Sequence, residues 1–387
     1  MGIEFRLGRQ DHPKVEDFLG TRPKNVDGIW VEAGNVTRQL AAIEQARATG
    51  VEVLVEPMTE RLADPGFTPG NISYAQGGPL DLGRLSRSRA SRSRLVEAVV
   101  ATQTEATIVT TPHFYVWDEH SAQLNLDLAA ETAELADADV RAILLAKRDH
   151  LANPEVAADL AMRYADIGIT SMDLRLSPLG ANNDGSIKVH SALGIIDAFN
   201  AEGISVNLGL QGQLGQTALA LGIVSGFSVG IGVRESIDHG AAITAQQKPR
   251  SKNEKFFGVQ PGIWLHGPDI AVPRRVAKVL LSDPSIRSRL VCSIGQCSAS
   301  MSGPLADART HYLHSRSAEV ATLLSRPMTW RASHEEDRLV RAIDMRAIVN
   351  EHLPSAIDET PVHPLKTRLL EVLVAEIAWR QQGEQSA

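Results

Sequence analysis

The sequence predicts an α/β fold, a (β/α)8 barrel of the TIM type with an appended C-terminal helical lobe. Three observations predict it. From about residue 28 the chain repeats one unit: a short β-branched run, a polar or glycine break, then a stretch with helical spacing. That is the pattern of parallel βαβ units. The unit recurs eight times before the pattern stops after Leu290, and eight units point to a closed barrel, with an open doubly wound sheet as the rival. Third, no dinucleotide-type glycine fingerprint follows the first run, where Glu32-Ala-Gly-Asn-Val stands, which weighs against a Rossmann sheet. The chain divides on this reading into an N-terminal segment 1–27, a barrel 28–290 and a helical lobe 291–387.

The expected strands are Gly28–Glu32, Val51–Glu56, Thr107–Thr111, Arg141–Ala146, Ile169–Leu174, Ile204–Leu208, Gly226–Gly230 and Gly262–Leu265. Amphipathic stretches lie between them at Thr37–Thr49, Ala122–Leu135, Glu155–Asp166, Ser186–Glu202 and Leu214–Leu221. Ser186 reads as a helix cap, and Gly203 as the stop of the same helix. Two long stretches interrupt the repeat and leave the C-terminal ends of strands. Met58 to about Arg94 is rich in Gly, Pro and Ser, and its last part carries Arg84, Arg87, Arg89, Arg92 and Arg94. His239 to Gly258 carries Lys248, Arg250, Lys252 and Lys255. Loops of such length in compact domains are lids, binding loops or disordered segments.

With 387 residues, 43% hydrophobic and 22% charged, the chain can bury a large core. A net charge of −7 excludes a surface coated in positive charge and leaves room for a local basic patch. Cys292 and Cys297 are the two cysteines, too few for a disulfide framework. No run approaches the ~18 apolar residues of a membrane span, and no charged-then-apolar leader follows Met1. The expected setting is a reducing cytoplasm.

In a barrel the residues ending each strand converge on one mouth. Here they are Glu32, Glu56, His113, Lys147, Asp173, Arg175, Asn207, Gln211, Glu235 and His266. Buried ionisable groups are costly unless paired, so this concentration points to a ligand site, or to salt bridges closing the barrel top. Asp173 and Arg175 lie two apart on one strand and face the same way. They form either a fixed ion pair or a nucleophile or base with a guanidinium beside it. Glu32 and Glu56, from neighbouring strands, are a second candidate acid/base pair. The run Gly226-Phe-Ser-Val-Gly-Ile-Gly-Val-Arg-Glu places Gly230 and Gly232 where a phosphate or flat ring can approach the backbone, with Arg234 and Glu235 following.

The stretch from Asn207-Leu-Gly-Leu-Gln-Gly to Glu235 resembles the tRNA-guanine transglycosylases. In that family a Gln-Gly-Gly strand end, a helix and a Gly-Tyr-Ala-x-Gly-Gly-Leu-x-Val-Gly-Glu strand contact the guanine. The resemblance covers roughly 120 residues in pieces. It implies a base-exchange enzyme acting on a guanine-type base in nucleic acid, with Gln211, Gly230, Gly232 and Glu235 near the base. The family's Cys-x-Cys-x-x-Cys zinc motif has a partial counterpart in Cys292-Ser-Ile-Gly-Gln-Cys297, where Ile294 replaces the middle cysteine. Cys292, Cys297, His311 and His314 would supply the four ligands of a structural zinc ion. The family's Asp-Ser-Gly-Gly-Phe and Phe-Asp-Cys-Val segments are absent, so Asp173 stands as nucleophile by position alone.

The arginines 84–94 and the basic residues 248–255 are candidate contacts to tRNA or DNA phosphates; the arginine row reads equally as a solvated helix start or flexible loop, which charge runs usually are. Few aromatics interleave them, so base stacking is not supported. Two further functions remain open: a barrel enzyme acting on a small anionic metabolite, and a non-catalytic ligand-binding barrel.

Overall fold

The computed structural model describes residues 1–64, 67, 72–75, 79–232, 235–247, 261–294, 297 and 303–386. Eight strands form the centre: β1 (Gly2–Arg6), β2 (Val26–Glu32), β3 (Glu52–Glu56), β4 (Val109–Thr110), β5 (Val140–Lys147), β6 (Ser171–Ser177), β7 (Ser205–Leu208) and β8 (Gly226–Gly230). They run in the order β3-β2-β1-β8-β7-β6-β5-β4, parallel throughout, with β8 beside β1 as a ring requires. The two ends of this sheet meet. A Leu54–Ile108 bridge, a hydrogen bond from Thr107 N to Val53 O at 2.9 Å, and the Thr110 hydroxyl donating to Val55 O tie β3 to β4. The result is a nearly closed barrel, which excludes the open sheet.

The strand faces explain why the sequence folds this way. Side chains alternate across a strand, and the outward set is apolar: Ile3, Phe5, Ile29, Val31, Val53, Ala142, Leu144, Met172, Leu174, Val206, Phe227 and Val229 pack in one core beneath the helices. Each of these side chains larger than alanine contributes about 1.5–3 kcal/mol on burial. The inward set is largely polar. At the bottom Glu4 accepts from the Trp30 indole at 2.6 Å and pairs with Arg141, below a small apolar plug of Trp30, Leu54 and Ile143.

Two expected strand positions are corrected. The first barrel strand lies within the segment 1–27, at Gly2–Arg6, and hydrogen-bonds to both β2 and β8. Conversely, the run Gly262–Leu265 is not a barrel strand. Ile263–Leu265 pairs antiparallel with Ile270–Val272, outside the ring. Its apolar side chains pack with Val276, Leu280 and Val349, so this stretch goes with the C-terminal helices.

The surrounding helices include His12–Gly20, Leu40–Thr49, Arg89–Ala101, Glu119–Leu135, Pro154–Asp166, Ser186–Ala201 and Gln213–Ala220. At Ser186 the cap position is held by Gly185, and Gly203 takes the left-handed φ of 76° that ends the helix. The row Arg84–Arg94 is helical, spread over Leu82–Arg87 and Arg89–Ala101. The C-terminal lobe is built from Ala308–Leu324, Met328–His352 and Arg368–Ser386, and its Tyr312, Leu313, Leu339 and Leu373 join the barrel's outer core. Among the described residues no helix is long and apolar enough to cross a membrane.

Candidate active site

The C-terminal half of the barrel interior is a network of buried charge. Arg6, from β1, donates to Ser228 Oγ at 2.8 Å on β8, to Glu56 Oε2 at 2.8 Å on β3 and to Asp173 Oδ2 at 2.6 Å on β6. Arg175 donates to the same two carboxylates, from Nε to Asp173 Oδ2 at 2.6 Å and from Nη2 to Glu56 Oε2 at 2.5 Å. Asp173 is fully buried. Burial works against its ionised form, but Arg175 and then Arg6 overcome this and hold its pKa below the ordinary value. Its environment is therefore an ion-pair clamp across the barrel. One oxygen, Asp173 Oδ1, is left without a hydrogen bond and faces Gly209, where a Cβ would come within 2.7 Å of it.

Above the clamp stand Glu56, Glu60 and His113. Glu56 ends β3, and Glu60 lies in the short helix Thr59–Leu62 that follows it. His113 comes just after β4. Its backbone is locked to that short helix, with His113 N donating to Thr59 Oγ1 at 2.8 Å and Thr59 Oγ1 donating to His113 O at 2.7 Å. His113 Nε2 lies 3.3 Å from Glu60 Oε2 and 3.8 Å from Glu56 Oε1. All three atoms are buried and lack a hydrogen-bond partner.

Their environments drive the two carboxyls apart. Burial would raise Glu56, but the Arg175 guanidinium, with His113 and Arg6 behind it, holds it well below the usual carboxylate range. Glu60 has no such clamp, and burial, then the neighbouring Glu56 charge, pushes it up to about 7. Burial pulls His113 down to about 3 against the Glu56 charge, so the imidazole is neutral. Such a split between adjacent carboxyls is a hallmark of functional sites.

The other expected residues distribute as follows. Glu32 ends β2 in register with Glu56 and accepts from Asn35 Nδ2 at 2.8 Å. Lys147 is exposed at the end of β5, and Gly230 ends β8 in register with Arg6. Asn207 pairs in register with Asp173. Gln211 is buried, with Nε2 donating to Leu179 O at 3.1 Å. Gly232 has a φ of 69°, and Arg234 lies outside the described residues.

Glu235 and His266 sit at the seam with the C-terminal lobe rather than with the clamp. The buried Arg316 pairs with Glu235 at 3.1 Å, the Tyr312 hydroxyl donates to the same carboxylate, and His266 Nδ1 lies 3.4 Å from Glu319. Arg6 and Glu60 were missed by the sequence reading. The alternation Ile3-Glu4-Phe5-Arg6-Leu7 was the available signal for Arg6, and the one-turn spacing from Glu56 was that for Glu60.

Cys292, Cys297 and His311 come together, with one ligand atom from each inside a 4.8 Å group. Cys292 Sγ lies 3.4 Å from His311 Nδ1, while His311 Nε2 faces Trp264 O at 2.9 Å. A proton on Nε2 would leave the Nδ1 lone pair facing the thiol, the arrangement a metal-binding histidine takes. The Cys297 thiol and then His311 hold Cys292 below its ordinary pKa. His314 is not in this group. Three residues along the helix from His311, it turns its ring against Phe18, with centroids 5.7 Å apart.

The arginine row is partly spent. Arg92 pairs with Glu131 at 3.0 Å and Asp127 at 3.2 Å, Arg89 with Glu134 at 3.2 Å, and Arg84 donates to Ser91. The basic stretch Lys248–Lys255 lies outside the described residues.

Fold and site define a (β/α)8 barrel protein with a buried charge network at the C-terminal ends of its strands. No protein-family profile matches the chain, and no curated protein matches it. Solved structures resemble it distantly, among them the following three. The apo-form of a putative deoxyribose-phosphate aldolase from Toxoplasma gondii ME49 is 12% identical over 59% of this chain and 88% of its own, with a TM-score of 0.37. The (S)-3-O-geranylgeranylglyceryl phosphate synthase of Thermoplasma acidophilum is 12% identical over 63% and 90%, with a TM-score of 0.31. The nitroalkane oxidase of Streptomyces ansochromogenes is 14% identical over 98% and 97%, with a TM-score of 0.30.

Proposed function

We propose that the chain is a barrel enzyme that acts on a small metabolite at the C-terminal mouth, around Glu56, Glu60 and His113. The observation that carries this reading is the set of buried acceptor atoms left unpaired there, Glu56 Oε1, Glu60 Oε2 and Asp173 Oδ1. Native interiors pair nearly all such atoms, so this concentration supports a site that a ligand completes. The ligand face is acceptor-rich, because Arg6 and Arg175 are both committed to carboxylates. It suits a substrate that presents N–H or O–H groups or a developing positive charge. Any anionic end of the metabolite would turn outward toward the exposed Lys147. Glu56, held ionised by the clamp, stabilises positive charge at the reacting centre.

Exchange of a guanine-type base in nucleic acid has less support. Glu235, which the family resemblance puts on the base, is engaged by Arg316 and Tyr312, and Arg92 of the basic row is paired within the fold. A zinc ion on Cys292, Cys297 and His311 belongs to this proposal as well, with the soft and imidazole ligands that zinc prefers and a fourth ligand from outside this group.

The test is native mass spectrometry of the purified protein after exposure to a cell-derived metabolite pool, beside the Glu56→Gln variant. The reading expects a small molecule retained by the wild type and lost from the variant. Retention by both proteins, or salt-dependent binding of a labelled tRNA with no small molecule, overturns it.

A further inference from the structure

The group Glu56, Glu60 and His113 asks for more than a hydrogen-bonding substrate. Its three facing atoms, Glu56 Oε1, Glu60 Oε2 and His113 Nε2, lie within 4.8 Å of one another. They are held in place by bonds that do not involve one another. The Glu56 Oε2 oxygen is gripped by Arg6 and Arg175, which aims Oε1 at the histidine. Glu60 is fixed by the short helix that Thr59 locks to the His113 backbone, and by Leu80 N donating to Leu62 O at 2.9 Å at the end of that helix. Tyr74 Oη donates to Pro57 O at 2.6 Å and pins the connection between the two glutamates.

An ordinary histidine–carboxylate pair does not account for this arrangement. The His113 side chain is 0% exposed, and a neutral ring has at most one N–H at Nε2. It can satisfy one glutamate oxygen and must leave the other bare. None of the three atoms makes a hydrogen bond as the side chains stand. Charge points the same way. With Glu60 ionised, three carboxylates, Glu56, Glu60 and Asp173, face two guanidiniums, Arg6 and Arg175, and a bound cation would compensate the extra negative charge that burial otherwise makes expensive.

We propose that Glu56 Oε1, Glu60 Oε2 and His113 Nε2 bind one divalent transition-metal ion at the mouth of the barrel. Bonds of about 2.1 Å to two atoms 3.3 Å apart subtend about 104°, and to two atoms 3.8 Å apart about 130°. Both angles fall in the range of a four- or five-coordinate ion. Two carboxylate oxygens with one imidazole nitrogen suit manganese, iron or zinc better than calcium, which takes oxygen ligands throughout. Three protein ligands leave one or more positions open. The thiol group at Cys292 and Cys297 is a separate site of softer character and does not compete for a hard ion. The inference goes beyond the reading above, since the ion can bind whatever the substrate is.

The experiment is a titration of chelator-treated, full-length protein with manganese(II) chloride, following free manganese by electron paramagnetic resonance. Manganese reads the oxygen-rich group and passes over the thiolates. One equivalent should bind to the wild type, and Glu60→Gln and His113→Gln should each weaken binding at least tenfold. Glu60→Asp keeps the charge and a carboxylate, and should bind more tightly than Glu60→Gln. Circular dichroism confirms that each variant is folded, and where His113→Gln is not, the Glu60 pair decides. In a Cys292→Ser, Cys297→Ser background, which removes the thiol site, cobalt(II) should give visible absorption that Glu60→Gln abolishes. Binding unchanged by the Glu60 substitutions, or no manganese bound by the folded wild type at millimolar ion, overturns the proposal. Neither readout depends on a substrate, so failure here is distinct from failure of the small-metabolite reading.

Discussion

Replacing Asp173 by asparagine separates a clamp from a nucleophile. Asp173 is fully buried and accepts charged hydrogen bonds from Arg6 Nη2 and Arg175 Nε, each 2.6 Å long. Asparagine fills the same space, removes the charge, and leaves two guanidiniums facing Glu56 and Glu60 alone. Hydrogen bonds to charged groups contribute about 1.5–3 kcal/mol each, so two of them set a loss of about 3–6 kcal/mol. The separate figure for breaking one partner out of a buried ion pair, about 3–5 kcal/mol, agrees. Against a typical total of about 5–15 kcal/mol this is a large fraction, and the urea midpoint should fall markedly. The assay is equilibrium urea unfolding followed by circular dichroism for the wild type, Asp173→Asn, Arg6→Met and the double variant. The double variant should lose less than the sum of the singles by about 0.5–3 kcal/mol, because both break one network. A carboxylate acting as a strained, reactive nucleophile gives the opposite pattern, with stability unchanged or raised on substitution. A loss below about 1 kcal/mol for Asp173→Asn, or strict additivity with Arg6→Met, refutes the clamp.

Three further outcomes follow from the same geometry. Purified wild type should carry close to one equivalent of zinc at Cys292, Cys297 and His311, and Cys297→Ser should carry well under half of that; equal zinc in both by plasma emission spectrometry refutes the assignment. Gly209→Ala puts a methyl within 2.7 Å of both Arg175 Cγ and Asp173 Oδ1, and should cost about 1–3 kcal/mol in urea unfolding; a stability gain, the usual result of Gly→Ala where the space is free, would show that the clamp is not as tightly packed as described. His239 lies with its ring 4.5 Å from that of Tyr115, and burial, then Arg61, pulls its pKa from 6.5 down to about 4. A depressed pKa means that the stabilisation is present above about pH 6.5 and is lost as pH falls through about 4. It amounts to at most about 3 kcal/mol. The His239→Gln variant should lose less stability between pH 7 and pH 4 than the wild type, and identical acid profiles refute the argument.

Why some of this was legible and some was not comes down to the direction in which the strands face. The repeat of β-branched runs and helical stretches reports the outward face, where Ile29, Val31, Leu144 and Leu174 meet the helices, and that face gives the parallel βαβ repeat, while closure rests on β1 against β8 and β3 against β4. The strand-end residues follow from the same repeat, so Glu56, His113, Asp173 and Arg175 could be named without knowing what they touch. The first strand escaped because it is five residues long and carries Glu4 and Arg6 on its inward face. In linear sequence these read as a charged start rather than as a strand. Its partners Phe227 and Ser228 on β8 lie more than two hundred residues away, and no local pattern reveals such a pairing. The run Gly262–Leu265 failed for the converse reason. Ile263, Trp264 and Leu265 are fully buried and look like a barrel strand, yet Asp269, at a φ of 56°, turns the chain back so that Ile270–Val272 pairs with them. The Gly267-Pro268-Asp269 sequence is a turn signal, and two short apolar runs around such a turn argue for a hairpin. Glu60 shows the remaining limit. Its spacing from Glu56 is local, but its role depends on the chain after β3 folding back across the mouth to meet His113, and only the hydrogen bonds between Thr59 and His113 make that fold visible. The clamp and the Glu56–Glu60–His113 group are thus consequences of closure: shift β1 by one residue and Arg6 would face the helices, Glu56 would lose one of its two guanidiniums, and the carboxylate pair would have nothing to hold its charges apart.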